Sequence, residues 1–169
     1  MYRYAGIGSR KTPNDVLDLI KSIGRIYALY GWVLRSGAAL GADRAFEYGC
    51  DSILGQKEIF RVEDTQHNPQ WAFDTVDRYH PAPEKLSEYA KRLMARNAMI
   101  VLGQNGDHPV RKIVCYTHDG LGGGGTGQAL RIAADYSIPV YDLGDINVEL
   151  KIREDVHSRE FDYRNYINT

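Results

Sequence analysis

Three short stretches of this sequence set glycine beside side chains that bind anions. Gly6-Ile7-Gly8-Ser9-Arg10 offers a hydroxyl and a guanidinium. Arg35-Ser36-Gly37-Ala38-Ala39-Leu40-Gly41-Ala42-Asp43 offers a second guanidinium and a carboxylate, and Gly122-Gly123-Gly124-Gly125-Thr126-Gly127-Gln128 is the most biased run of the chain. Glycine lets a backbone turn tightly and approach another group closely. When such a turn opens a helix, unpaired N–H groups and the positive helix end face whatever lies beyond it, which suits a phosphate. Arg10 and Arg35 are natural partners for that phosphate, because a guanidinium can offer two parallel donors.

Each of these turns sits where a strand gives way to a helix. The stretch from Tyr2 runs as a strand into the Gly8 turn, and Thr12-Pro13 reads as a cap followed by proline at the first helical position. Val16, Leu17, Ile20, Ile23, Ile26, Tyr27 and Tyr30 then recur at helical spacing until Gly31 stops them. Trp32 to Ser36 is a second strand, with a helix around Arg44 to Tyr48 after its turn, and Lys57 to Val62 is a third. From Glu63 to Pro83 the chain is polar, aromatic and proline-bearing around a short helix near Trp71 to Tyr79; Trp71, Phe73 and Tyr79 are expected to pack down rather than stack on bases. Leu86, Tyr89, Ala90, Leu93 and Met94 share one face of a helix that continues to Leu102. Lys112 to Thr117 and Ile138 to Leu143 are the fourth and fifth strands, flanking a small-residue helix from Ala129 to Ala134. Strands alternating with helices predict an α/β, Rossmann-like doubly wound parallel sheet of about five strands with helices on both faces. In the order 3-2-1-4-5, ligands lie at the carboxyl ends where the winding reverses. The Gly8 turn and the Gly122 to Gly127 turn then face one another.

With 169 residues the chain is expected to form one domain, closed by a charged C-terminal extension over 144–169 with a helix around Val148 to Val156. Lys+Arg 21 against Asp+Glu 22 gives a formal net charge of -1, so the composition lacks the basic excess of a general nucleic-acid binder. Cys50 and Cys115 read as buried free thiols, and His118 and Asp119 have no second His or Cys nearby, so no metal is expected. The first turn lacks the third glycine of the dinucleotide fingerprint and no turn is a P-loop, so no resident cofactor is expected either. With no membrane-length apolar run and no signal pattern, the protein is read as cytoplasmic.

The motifs Ala5-Gly6-Ile7-Gly8-Ser9-Arg10, Arg35-Ser36-Gly37-Ala38-x-x-Gly41-Ala42-Asp43-x-Ala45-Phe46-Glu47, Arg96-Asn97-x-x-Ile100 and Gly125-Thr126-Gly127-Gln128-Ala129, in that order, resemble the Rossmann-like core of the DNA processing protein A family of recombination mediators. More broadly they resemble the SLOG superfamily, which also holds the LOG phosphoribohydrolases and nucleotide-binding sensors, and a small phage-borne branch within it. The resemblance implies ligand contacts from Gly8, Ser9, Arg10, Arg35, Ser36, Gly37, Asp43, Arg96, Asn97, Gly124, Gly125, Thr126, Gly127 and Gln128. Recombination mediators usually carry further domains around this core, for which 169 residues leave no room. LOG enzymes carry a carboxylate two residues past the loop threonine, where this chain has Gln128, and an amide cannot take up a proton as a carboxylate does. A catalytic acid would then fall to Asp43 or Glu47, one helical turn apart, with Arg96 on the phosphate; the alternative is that Asp43 caps the helix and Glu47 pairs with Arg44.

Three functions follow as expectations: a sensor or sequestering protein for a nucleotide or ADP-ribose-type ligand, an N-glycosidase acting on nucleoside monophosphates, and single-stranded DNA binding. The resemblance also implies a homodimer, with the aromatic tail from Phe161 to Tyr166 as a candidate surface; a tail packed on its own domain is the other reading.

Overall fold

The computed structural model describes residues 1–67 and 69–167; the side chains of residues 65–67 and 161–167, and with them the Phe161 to Tyr166 aromatics, lie outside that description. Five strands, β1 (Arg3–Gly8), β2 (Val33–Ser36), β3 (Lys57–Ile59), β4 (Lys112–Tyr116) and β5 (Val140–Asp142), form one sheet in the order β3-β2-β1-β4-β5. Every pairing is parallel. The crossovers carry α1 (Asn14–Leu29), α2 (Ala42–Asp51), α3 (Gln70–Tyr79), α4 (Glu88–Leu102) and α5 (Thr126–Asp135), and α6 (Ile146–Ile167) follows β5. This is the doubly wound order expected of the alternating strands and helices.

Alternation along the strands divides the core. Tyr4, Leu34 and Val114 point to the face covered by α1, α2 and α6, where they meet Ile20, Ile23, Phe46 and Val156. Ala5, Ile7, Ile113 and Cys115 point to the face covered by α4 and α5, against Ile100, Leu102 and Ile132. Cys50 and Cys115 are buried free thiols. The excursion between β3 and α4 packs as a satellite cluster in which Ala72, Val76, Ala95 and Met99 are flanked by Phe60, Trp71 and Phe73, while Tyr79 packs against the main core of that face.

Several boundaries differ from the sequence reading. The third strand ends at Ile59, because β2 offers partners only from Leu34 to Ser36, and the chain turns at once into a 3-10 helix over Val62–His67. The fifth strand starts at Val140, since Pro139 has no N–H to donate to the ladder and serves only through its carbonyl, which accepts from Ile113 N at 2.9 Å. Thr12 does not cap α1. Its hydroxyl donates to the carbonyl of Ser9 at 2.7 Å, and Pro13 takes the cap position. α6 extends well past Val156 and ties the 144–169 segment to the domain, with Val156 in the core and an Arg25–Glu160 ion pair joining it to α1.

Candidate functional site

At the carboxyl ends of β1 and β4, where the winding reverses, the turns after β1, β2 and β4 enclose a cleft of about 680 Å³. One wall is Gly8, Ser9 and Arg10 with Ala39 and Asp43; the opposite wall is Gly123 to Thr126; α4 closes the side with Tyr89, Leu93, Met94, Arg96 and Asn97. Three of the sequence-predicted turns therefore meet at one place.

A polar clasp forms the floor between the first two turns. Asp43 is buried, its Oδ1 accepting from Gly8 N at 3.0 Å and its Oδ2 from Gly37 N at 3.1 Å. Burial pushes its carboxyl up to about 6, opposed by the nearby Arg96 charge and by the backbone N–H groups of Gly8, Gly37 and Ala39. Arg96, also buried, donates through Nη1 to the carbonyls of Gly37 (2.7 Å) and Phe60 (3.2 Å) and through Nε to Asn97 Oδ1 (3.0 Å). Burial lowers the pKa of its guanidinium, and the Asp43 charge resists that shift. Asn97 continues the chain of contacts, its Nδ2 donating to Gly125 O at 2.8 Å. Asp43, Arg96 and Asn97 thus hold the three turns in register, which is the setting in which buried polar groups confer rigidity. Asp43 does not cap its own helix; Gly41 holds the N-cap position of α2, without a side-chain cap.

The glycine run is anchored at its root and open at its tip. Thr117 Oγ1 accepts from Gly122 N at 2.9 Å and donates to Asp142, whose Oδ1 also takes Thr117 N and Gly144 N. Beyond Gly122, the N–H groups of Gly123, Gly124, Gly125 and Thr126 find no acceptor among the described residues. Gly124 lies at φ 65, a left-handed conformation that favours glycine. α5 begins at Thr126 without a side-chain cap, so its positive end faces the cleft uncovered. Arg10, exposed at the mouth, makes no hydrogen bond or ion pair among the described residues.

The other predicted residues lie elsewhere. Arg35 is 3% exposed on β2, its Nε on Glu58 Oε2 (2.5 Å) and its Nη1 on His108 O (2.6 Å), and it lines a different cavity. Ser36 donates to Gly6 O at 2.6 Å inside the sheet. Glu47 sits outside the cleft and pairs with Lys57 at 3.2 Å, not with Arg44. Gln128 is fully buried against α3, donating to Thr75 O at 3.2 Å and accepting from Arg131 at 2.8 Å. Gly127 is packed against the Gly122 carbonyl. The cleft also uses residues the sequence reading assigned to a helix face or strand: Tyr89, Leu93 and Met94 from α4, of which Met94 also packs against the satellite cluster, and Thr117, held from behind by Asp142. The sequence signal for Thr117 and Asp142 is position, at the carboxyl ends of strands β4 and β5. Among the described residues no group of three His, Cys, Asp or Glu could hold a metal ion, and no helix is long and apolar enough to cross a membrane.

No protein-family model matches the chain, and no curated protein sequence matches it either. Solved structures do. A structure of DNA processing protein A from Helicobacter pylori, described for its single-stranded DNA binding mode, superposes with a TM-score of 0.60 at 16% identity over 95% of this chain and 81% of that one. The X-ray structure of DNA processing protein A from Streptococcus pneumoniae gives a TM-score of 0.53 at 17% identity over 84% of this chain, which spans 50% of the pneumococcal protein. At these identities the likeness is one of fold, and the fold is the Rossmann-like parallel sheet of DNA processing protein A.

Proposed function

We propose that this protein binds a phosphate-bearing nucleotide or nucleotide-derived ligand in the switch-point cleft, as a sensor or sequestering protein. The observation that carries the reading is the run of four N–H groups from Gly123 to Thr126, without partners among the described residues, opening on the cleft at the start of α5 with Arg10 across the mouth. A phosphate there would meet backbone donors, the helix dipole and the Arg10 guanidinium, while Tyr89, Leu93 and Met94 offer an apolar wall to a base. Isothermal titration of the full chain with nucleoside mono- and diphosphates and ADP-ribose tests this. Saturable binding that Gly125→Val removes from folded protein is the expected result; folded wild type that binds none of them at millimolar concentration overturns it.

A second reading, single-stranded DNA binding, is favoured by the fold likeness to the Helicobacter pylori protein. Its cleft would take one nucleotide of the strand, and affinity should fall steeply with salt because phosphate contacts release counterions. A gel shift with oligo-dT at low salt, followed by competition with the best mononucleotide, separates the two: a complex displaced by the nucleotide supports DNA at the same cleft, and no complex at low salt removes this reading. N-glycosidase chemistry needs a carboxyl group turned on the ligand. Asp43 reaches the cleft with each oxygen held by a backbone amide, and Glu47 stays outside it, so neither supports bond cleavage.

A further inference from the structure

Sheets of this class are usually apolar on both faces, because helices cover both. Over β1, β2 and β3, on the α4 side, the sheet instead carries Arg3, Arg35 and Glu58 on the floor of a separate cavity of about 640 Å³. The loop after α4 closes it with Gln104, Asn105 and His108. One carboxylate serves two arginines there: Glu58 Oε1 takes Arg3 Nε at 2.8 Å and Oε2 takes Arg35 Nε at 2.5 Å. Both guanidiniums hold Glu58 by Nε, which leaves both terminal nitrogens of Arg3 and Nη2 of Arg35 without a hydrogen-bond partner among the described residues. One carboxylate against two guanidiniums leaves the trio with one net positive charge, on a wall that includes a nearly wholly buried arginine. These charged donors open onto the cavity, where a bound anion could accept from them.

We propose that this cavity is a second ligand site, distinct from the switch-point cleft, that takes the oxyanion of a small polar molecule, a carboxylate or a phosphate, on the terminal nitrogens of Arg3 and Arg35. Gln104 and Asn105 supply amides for the rest of the molecule, and Arg61, Asp64 and the His108-paired Asp107 add charges of both signs to the lining, which suits a ligand with polar groups beyond its anion. The arginine pair also holds the Glu58 carboxyl below its usual range, so the arrangement stays ionised at neutral pH and remains ready for an anion. The cavity shares no lining residue with the cleft, so the two sites can be tested apart.

The test is a nuclear magnetic resonance titration of the full chain with inorganic phosphate and, separately, with acetate, read on the arginine Nε–H signals of Arg3 and Arg35 and the side-chain amides of Gln104 and Asn105. Saturable shifts at these groups are expected. The anion that saturates at the lower concentration names the source, phosphorylated or carboxylated. Arg3→Gln should weaken binding about tenfold or more, as loss of a charge-assisted donor does, and Arg3→Lys, which keeps an ion pair for Glu58, should fall between. Gly125→Val should leave these shifts unchanged. Shifts confined to Gly123 to Thr126, no saturable shift from either anion, or unchanged affinity in both Arg3 variants overturns the proposal.

Discussion

On the β1 and β2 side of the cleft, a methyl group added at Gly8 would meet Ala42 Cβ and the Tyr116 carbonyl at 2.8 Å, and one at Gly41 would meet Arg10 Cα at 2.8 Å and press on the Ser9 carbonyl. On the α5 side, methyl groups at Gly123, Gly124 and Gly125 would meet nothing within 4 Å. The same residue type thus has two physical causes within one site. In the first wall glycine lets sheet, helix and neighbouring turn approach closely, so its role is packing. In the second, space is left empty in front of unpaired N–H groups, which is what a backbone anion site requires. A glycine-rich motif is evidence for a ligand only where the space in front of it is open.

The sharpest way to break that contrast is to remove the clasp beneath the packed wall. Asp43→Ala would strip acceptors from Gly8 N and Gly37 N and leave Arg96 without its neighbouring charge, so a loss of about 3–5 kcal/mol is expected in urea denaturation. A variant within about 1 kcal/mol of wild type would show that the first wall does not depend on it.

A pH series examines the same group without changing a contact. Because burial lifts the Asp43 carboxyl to about 6, against an ordinary value of 3.8, the folded chain holds a proton that the unfolded chain has lost between those limits. The unfolded state then binds fewer protons, so this group's contribution makes stability decline as pH rises from about 4 to about 6, by up to about 3 kcal/mol, and level off above. Denaturation midpoints across that window should slope less in Asp43→Asn than in wild type. Parallel slopes would show that Asp43 titrates elsewhere.

Gly41→Ala should cost about 1–3 kcal/mol, since it adds a side chain at φ 83 as well as a backbone clash. Thermal unfolding of this variant beside Gly125→Ala, whose backbone at φ -63, ψ -32 is ordinary for any residue, measures the two walls directly. The smallest effect on stability is expected at Gly125→Val, within about 1 kcal/mol of wild type because the added atoms enter open space, although β-branching at a helix start costs a little. Its ligand affinity should nonetheless drop beyond detection. Full binding by this variant would falsify the open-wall account.

Much of this was written in the chain order. The apolar spacing of Val16, Ile20 and Ile23, the apolar strand runs and the glycine punctuation each encode a local preference. A right-handed crossover rule then converts alternating strands and helices into one sheet order. The meeting of the Gly8, Asp43 and Gly125 turns followed from that topology alone. Side-chain direction did not. Arg10 and Arg35 stand beside similar glycine turns in sequence, yet Arg35 belongs to a strand whose alternation turns it toward the α4 face and Glu58, while Arg10 lies past the end of β1 and reaches the cleft. Glu47 and Asp43 share a helix face by spacing, but only the first turn of α2 abuts the β1 and β2 turns, so the pair is divided between Lys57 and the clasp. Gln128 follows the loop threonine closely, and the helical rotation of about 100° per residue carries it inward against α3. The sequence by itself determined which segments form strands, helices and turns and where the turns converge, because those depend on local preference and chain order. Which charged groups face the cleft and which hold the scaffold was decided by the tertiary structure, since that depends on what each side chain meets across the fold.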